Sequence, residues 1–506
     1  MTVVMVVGLA SGCGATRADD RGGDTLRVVG PFEIHSLEPT ATSGFFTRLE
    51  VAETLVTADL EGNLAPGLAS DWSPSQGGRT WTFELVPDVT FHDGTPLTPE
   101  AAVDSLETVR RDEASPLAAA PIEQIAATDT GLRFELSEPN LTLPAVLTHY
   151  STMILAPAAY DDDDHVSELI GTGPYRIDRI ELPASIEVTR FDDWRGTPPE
   201  IEKVSFQSVS RAESRALMAT SDDADVVWHL EPAGRQKVEA SDGVSMASTL
   251  QPRTIMLKVN NDHPILGDPD VRRALSMALD REAMAEAVLR EPELAATQLM
   301  PPSLTTWSQP DLAPLEHDAD GARQLLESAG WEADDDGVLT KDGEALRLNL
   351  LTYPDRPELP ALATAIQASA KEVGIEIDVE VTNSSEIPVR HADDTLELAL
   401  VARHFALVSD PLVTVAETFA PAGSEWGVQN WSDPQLTAAV DQLLTGPSED
   451  RAEELRATIV TIAQEQLPLV PVAWYRMNAA VQDRVEGFVF DPLETSWHFS
   501  QVRWAS

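Results

Sequence analysis

The stretch from Val51 to Val103, VAETLVTADLEGNLAPGLASDWSPSQGGRTWTFELVPDVTFHDGTPLTPEAAV, carries the densest structural signal in the chain. Trp81, Phe83 and Leu85 occupy alternate positions, which places them on one face of a strand, and Val89 and Phe91 lead into the turn pair Asp93-Gly94. A hairpin is therefore predicted from Thr80. Thr98 is set to accept the free amide hydrogens of a helix running to about Val109, and Pro99 fits its first position because no N–H is needed there. Upstream, Val51 to Leu60 reads as a helix-to-turn segment before a Pro/Gly-rich loop, and Thr25 to Gly30 as a first strand.

Further along, strand and helix alternate. Asp268-Pro269-Asp270 opens a helix whose Val271, Ala274, Leu275, Ala278 and Leu279 form one apolar stripe. Leu346 to Leu351 reads as a strand, Leu359 to Val373 as a helix ended by Gly374, and Ile375, Ile377, Val379 and Val381 as the next strand. That succession predicts a parallel pair with a right-handed crossover. In such sheets ligands bind at loops on the carboxyl ends of strands, here Tyr353 to Arg356.

With 506 residues, two or three lobes are expected if a domain takes about 150. The 84 acidic residues against 35 basic give a net charge of -49, which repels phosphate backbones and argues against nucleic-acid binding. The one cysteine, Cys13, excludes an internal disulfide. It ends a short apolar run from Val3 to Ala10 and small residues, so 1-13 reads as a signal segment resembling a lipobox, with Cys13 as the lipid attachment point and 14-24 as a tether. The sequence holds no G-x-S-x-G, no H-E-x-x-H and no phosphate-cradling glycine loop, so no catalytic residue is assigned. The ten histidines are scattered with no i, i+3 or i, i+4 pair, so neither a protein-borne metal site nor a cofactor is expected.

The block from Val51 to Val103 resembles the extracellular solute-binding proteins of ABC importers for oligopeptides, dipeptides and nickel. So do Gly171-Thr172-Gly173-Pro174-Tyr175, the segment Asn260 to Arg281, the segment His317 to Trp331, and the closing L-P-L-V-P-V-A-W run followed by V-E-G-F. The resemblance covers essentially the whole chain. It implies a two-lobed α/β fold of the type II periplasmic-binding-protein kind, in which three domains enclose an interlobe ligand cleft. A discontinuous domain I takes 25-46, 168-256 and 482-506; domain II takes 47-167; domain III takes 257-481. Crossings near Leu257-Lys258 and Tyr475-Arg476 would form the hinge. The expected function is capture of a peptide or metal-chelate solute and its delivery to ABC permease subunits, by a monomer held outside the cytoplasm through its N-terminal lipid anchor. A secreted hydrolase, or a sensory or adhesive lipoprotein without a transporter, are the competing readings.

Peptide-binding relatives hold the ligand's ammonium with an aspartate four residues before the proline of a D-P pair. At Asp410-Pro411 that position is Leu407. The run from Arg403 to Pro411 and the ending Glu494 to Phe499 resemble the nickel and chelate branch, yet Met153 stands near that branch's arginine position. The solute thus stays open between the two, and a metal would travel inside an organic chelator. Candidate ligand-binding residues are Phe45, as cleft wall or core; Trp228 and His229; Arg253, as carboxylate reader or structural ion pair; Arg403, His404 and Phe405, expected in a loop after an apolar strand from Glu397 to Ala402; and Trp426, with Trp431 as a second lid or packing aromatic.

Overall fold

The computed structural model describes residues 25–505 apart from 43, 335–336, 355, 422, 424–425 and 428. Cys13, the signal segment 1-13 and the tether 14-24 lie outside the described residues. Strand β1 (Thr25–Gly30) forms where its apolar alternation puts it. The helix-to-turn segment expected over Val51 to Leu60 does not form. Val56–Ala58 instead pairs antiparallel with Leu64–Pro66. The cause is local: Asp59 Oδ1 accepts the amides of Glu61 at 3.0 Å and Asn63 at 2.8 Å, a side-chain turn that competes with helix.

Strands β2 (Ala69–Ser75) and β3 (Thr80–Leu85) make an antiparallel hairpin. After β3, Val89 and Phe91 lead into the turn at Asp93-Gly94 as expected, the Phe91 amide bonding to Thr95 O at 2.8 Å and the Leu97 amide to Val89 O at 2.9 Å. Helix α1 (Pro99–Arg110) begins as expected, with Thr98 Oγ1 accepting the Ala101 amide at 3.2 Å. Strands β4 (Ile122–Ala127) and β5 (Gly131–Leu136) complete a four-stranded antiparallel sheet in the order β2-β3-β5-β4.

The largest sheet is ten-stranded and mixed. Its elements, in chain order, are β6 (Tyr175–Glu181), β7 (Ser185–Arg190), β8 (Lys203–Ser208), β9 (Val226–Trp228), α2 (Pro232–Glu239), β10 (Val244–Val259), α3 (Pro269–Ala278), β11 (Arg347–Thr352), α4 (Glu358–Glu372), β12 (Glu376–Val381), β13 (Leu398–His404), α5 (Pro411–Phe419) and β14 (Leu469–Gln482). The sheet order is β12-β11-β13-β10-β14-β9-β1-β8-β7-β6. Strands β11 and β12 are parallel, Leu348 opposite Ile377, with α4 as their crossover and Gly374 at φ 84° turning the chain back. Asp268 caps α3 by accepting the Asp270 amide at 2.9 Å. The stripe of α3 faces the core, where Val271, Ala274 and Leu275 are buried.

Two long strands carry the chain across the middle. β10 and β14 pair antiparallel along nearly their whole length, with a register shift between Leu250 and Thr254, opposite Trp474 to Arg476. Leu257 and Lys258 lie beyond that shift, paired with Val470 and Leu469. The segment Gly171 to Tyr175 returns the chain from the four-stranded region against residues 50–51, the Gly173 amide bonding to Val51 O at 3.0 Å. A Cβ on Gly171 would sit 2.2 Å from Val51 O, and one on Gly173 2.0 Å from Glu50 O, so only glycine permits this approach.

Candidate functional site

A cleft of about 1050 Å³ opens against the centre of β10 and β14 and is lined from every part of the chain proposed to form a lobe. Its charged end is built on the bulge. Arg253 follows the register shift on β10, Tyr475 lies opposite on β14, and Arg356 comes from the loop after β11. Both guanidiniums stand over the Tyr475 ring, Arg253 at 5.3 Å and Arg356 at 4.9 Å from its centroid. Burial pushes the Tyr475 hydroxyl up to about 12, so it stays a neutral hydrogen-bonding group.

Glu494 binds the cluster together. Arg48 Nη2 lies 2.8 Å from its Oε2, Arg253 Nη2 lies 3.2 Å from each oxygen, and Gln251 Nε2 donates to Oε1 at 2.5 Å. Burial works to raise the Glu494 carboxyl, but Arg253 and Arg48 outweigh it and hold the group well below the usual carboxylate range. Asp491 shapes the loop beneath: its Oδ2 accepts the amides of Thr495 at 2.7 Å and Ser496 at 3.0 Å, which brings Glu494 inward at a left-handed φ of 59°.

Several donors stay unbonded. Arg48 and Arg253 share one carboxylate, while Arg253 keeps Nε and Nη1 buried without a hydrogen-bond partner. Arg356 makes no hydrogen bond or ion pair with any described residue, and its Nη1 is buried and unmatched. A buried donor without a partner costs about 1–3 kcal/mol, more when charged, so this end of the cleft is suited to an anion.

His229 and His404 also line the cleft, and burial drops both to about 3, so they are neutral near pH 7. His404 Nε2 donates to Pro492 O at 3.1 Å and its Nδ1 accepts the Ala406 amide at 3.1 Å, leaving neither nitrogen for a metal. His229 sits at φ 55°, with its Nδ1 3.3 Å from the Tyr475 hydroxyl. Trp426 stacks on Tyr353 at 5.6 Å and 15°, both at the cleft wall.

A narrower recess opens beside this end, walled by Phe32, Phe45, Phe206, Trp228 and Trp497. Phe45 packs edge-on against Phe206 at 4.9 Å, and Trp228 lies 5.7 Å from Trp497 at 25°. Both predicted alternatives for Phe45 therefore describe the same ring, which is core on one side and wall on the other.

The structure brings Phe45, Trp228, His229, Arg253, His404 and Trp426 to the cleft or its recess. It does not bring Arg403 and Phe405. Both Arg403 and His404 are in β13, opposite Thr254 and Arg253, not in a loop after Ala402, because β10 continues to supply partners. Arg403 faces Glu417 at 3.4 Å, and Phe405 is wholly buried. Trp431 packs on Phe419 at 5.7 Å. Leu407 lines the cleft, whereas Met153 is buried in the core. The residues missing from the sequence reading are Arg48 and Glu358; Tyr475 appears there only as a hinge crossing, and Arg356 and Glu494 only within the loop Tyr353 to Arg356 and the ending Glu494 to Phe499. No cluster of three His, Cys, Asp or Glu side chains comes together among the described residues to hold a metal ion.

A family model described as bacterial extracellular solute-binding proteins, family 5 Middle, matches residues 63–426. A nickel-binding periplasmic protein of Escherichia coli (strain K12) is 24% identical over 498 residues, covering 94% of this chain and 93% of that protein. A dipeptide-binding protein of the same strain is 24% identical over 471 residues, covering 86% and 85%. Among solved structures, NikA from Staphylococcus aureus in complex with Ni(L-His)2 superposes with a TM-score of 0.81 at 19% identity, covering 96% of this chain and 100% of that one.

Proposed function

The chain belongs to the bacterial extracellular solute-binding proteins of family 5, the substrate-binding components of ABC importers, and on that premise we propose that its cleft captures a carboxylate-bearing solute of the peptide or metal-chelate kind. Delivery to a membrane permease follows release, and no covalent step is assigned to any residue. The observation that carries the reading is Arg356, a guanidinium stacked on Tyr475 inside the cleft with its Nη1 buried and no hydrogen-bond partner for it among the described residues. A planar fork of donors is matched to a carboxylate.

If nickel is the cargo, it enters inside an organic chelator, since the histidines at the cleft are neutral and His404 has both nitrogens engaged. Arg356 and the free donors of Arg253 would then hold the chelator's carboxylates. On the lobe assignments 25-46 with 168-256 and 482-506, 47-167, and 257-481, the charged end draws Arg253 and Glu494 from domain I, Arg48 from domain II and Arg356 and Tyr475 from domain III, with the bulged ribbon of β10 and β14 as hinge. Among the described residues no helix is long and apolar enough to cross a membrane. Attachment through a lipid on Cys13 and action as a monomer complete the proposal.

Thermal-shift and calorimetric titration of the purified chain against short peptides, L-histidine with Ni(II), and Ni(II) alone tests it. A carboxylate-bearing solute at 100 times its dissociation constant should add about 2.7 kcal/mol of stability. Arg356→Met should weaken that binding at least tenfold. Binding of bare Ni(II) alone, or equal affinity in Arg356→Met, overturns the reading.

A further inference from the structure

Two residues beyond Arg356, Glu358 opens α4 and lines the same cleft. Its Oε1 is buried and has no hydrogen-bond partner. Although the guanidinium and the carboxylate carry opposite charges in a partly buried place, they do not pair with each other. Pro357 lies between them at the cap of the helix, fixing its own backbone angle, and both side chains meet the cavity rather than one another. At the cap of α2, Glu231 also lines the cleft, close enough to Glu358 for the two carboxylates to repel. The wall therefore presents a guanidinium and a carboxylate that attract each other without a hydrogen bond, Arg356 Nη1 and Glu358 Oε1 each buried and unbonded, with a second carboxylate near them.

Opposite charges held apart in low dielectric are stabilised by a group that inserts its own opposite charges between them. An amine and a carboxylate on neighbouring atoms have that pattern. Resting on the carboxylate reading above, we infer that Glu358 is the amine-reading residue of the cleft, selecting with Arg356 solutes that carry both an amino group and a carboxylate. The substrate class is thus narrowed to amino acids, peptides with a free amino terminus, and metal complexes of such molecules, in preference to polycarboxylates that lack an N–H donor. Glu231 closes on the same amine. Burial raises the Glu358 carboxyl above its ordinary value and outweighs the opposing pull of Arg356 and Arg253, with Glu231 adding to the rise.

The test is a cycle of ligand and protein changes on the full chain. Dialanine and trialanine are titrated against wild type and Glu358→Gln, each alongside its N-acetyl counterpart. Acetylation should cost wild type at least tenfold, Glu358→Gln should cost the free-amine probes a similar factor, and the acetylated probes should bind both proteins within about twofold, since the lost contact is the same one. Acetylation that costs wild type nothing, or losses that multiply instead of overlapping, overturns the inference. The acetylation arm needs no variant, so a folding defect in Glu358→Gln does not blunt it. Arg356→Met separates the two levels: if probes lose affinity there but ignore the amine, carboxylate capture stands and the amine role falls. If no probe binds, or none responds to Arg356→Met, carboxylate capture itself fails.

Discussion

Arg253 and Glu494, 241 positions apart in the chain, meet with Nη2 at 3.2 Å from both carboxylate oxygens, and Arg48 approaches the same carboxylate to 2.8 Å. The contact ties the bulge of β10 to the C-terminal loop. Removing the carboxylate leaves two buried guanidiniums without their anion. Glu494→Ala is expected to lower unfolding stability by about 3–5 kcal/mol. Denaturant unfolding followed by circular dichroism measures it, and a loss under about 1 kcal/mol would show that water replaces the carboxylate.

Gly173 and Gly171 predict a second, purely steric effect. The atoms a Cβ would strike are backbone carbonyl oxygens at 2.0 and 2.2 Å, which cannot swing aside as a side chain can. Gly173→Ala should cost at least about 2 kcal/mol of stability, at the upper part of the overpacking range. Because Gly173 does not line the cleft, ligand affinity measured well below the melting temperature should stay within about twofold.

Much of the architecture is legible in the sequence because its causes are local. The caps Thr98 and Asp268, the α4 crossover and Gly374 each act through hydrogen bonds or dihedrals within a few residues. The Val51–Leu60 reading fails where short-range turn chemistry at Asp59 outweighs apolar patterning. For the site, the loop rule for parallel strands reaches Arg356, and the spacing from Asp410-Pro411 reaches Leu407. Arg48 and Glu494 escape, since their pairing exists only after residues 446 positions apart are packed together. Arg403 misleads for a related reason: whether a charge ending an apolar strand meets the cleft or Glu417 depends on how far β10 extends its pairing.

Buried neutral histidines set a pH dependence. Burial lowers His149 to about 3, against an ordinary value near 6.5. Between those values the unfolded chain binds a proton that the folded chain refuses, so the stabilisation is complete above about pH 6.5 and is lost as pH falls toward 3. One such group removes about 2 kcal/mol by pH 5. The wild-type unfolding free energy should therefore drop more steeply from pH 7.5 to 5 than that of His149→Gln. Parallel curves would mean that the imidazole is protonated in the fold.

Trp426 stacked on Tyr353 at 5.6 Å should report ligand arrival, since both rings line the wall beside the charged end. Saturating ligand is expected to change tryptophan emission, and Trp426→Phe to remove most of the change while weakening binding by only about 1 kcal/mol, the scale of an aromatic contact. An unaltered signal in Trp426→Phe would assign the reporter to Trp474 or to the recess.

Closure has its own electrostatic contact at the cleft. Glu291 receives Arg235 from α2 on one oxygen and Arg476 from β14 at 2.6 Å on the other, and Arg235 Nη2 also donates to Leu289 O at 2.8 Å. On the proposed boundaries Arg235 belongs to domain I and Glu291 to domain III, so their contact exists only while the lobes are together. A ligand shifts a two-state molecule only by what it gains in one state over the other, and Glu291 adds to the closed state in the same way. Its side chain is 17% exposed, so water and salt screen the contact and its worth is about 1 kcal/mol. Glu291→Gln should accordingly weaken ligand binding about fivefold without touching the ligand. Raising salt from 0.05 to 0.5 M, round values about the physiological range, should weaken wild type more than the variant, because the screened pair is already gone there. Scattering in the absence of ligand should give a larger radius of gyration for the variant; equal radii, equal affinities and equal salt slopes together would leave Glu291 as a surface charge with no part in closing the lobes.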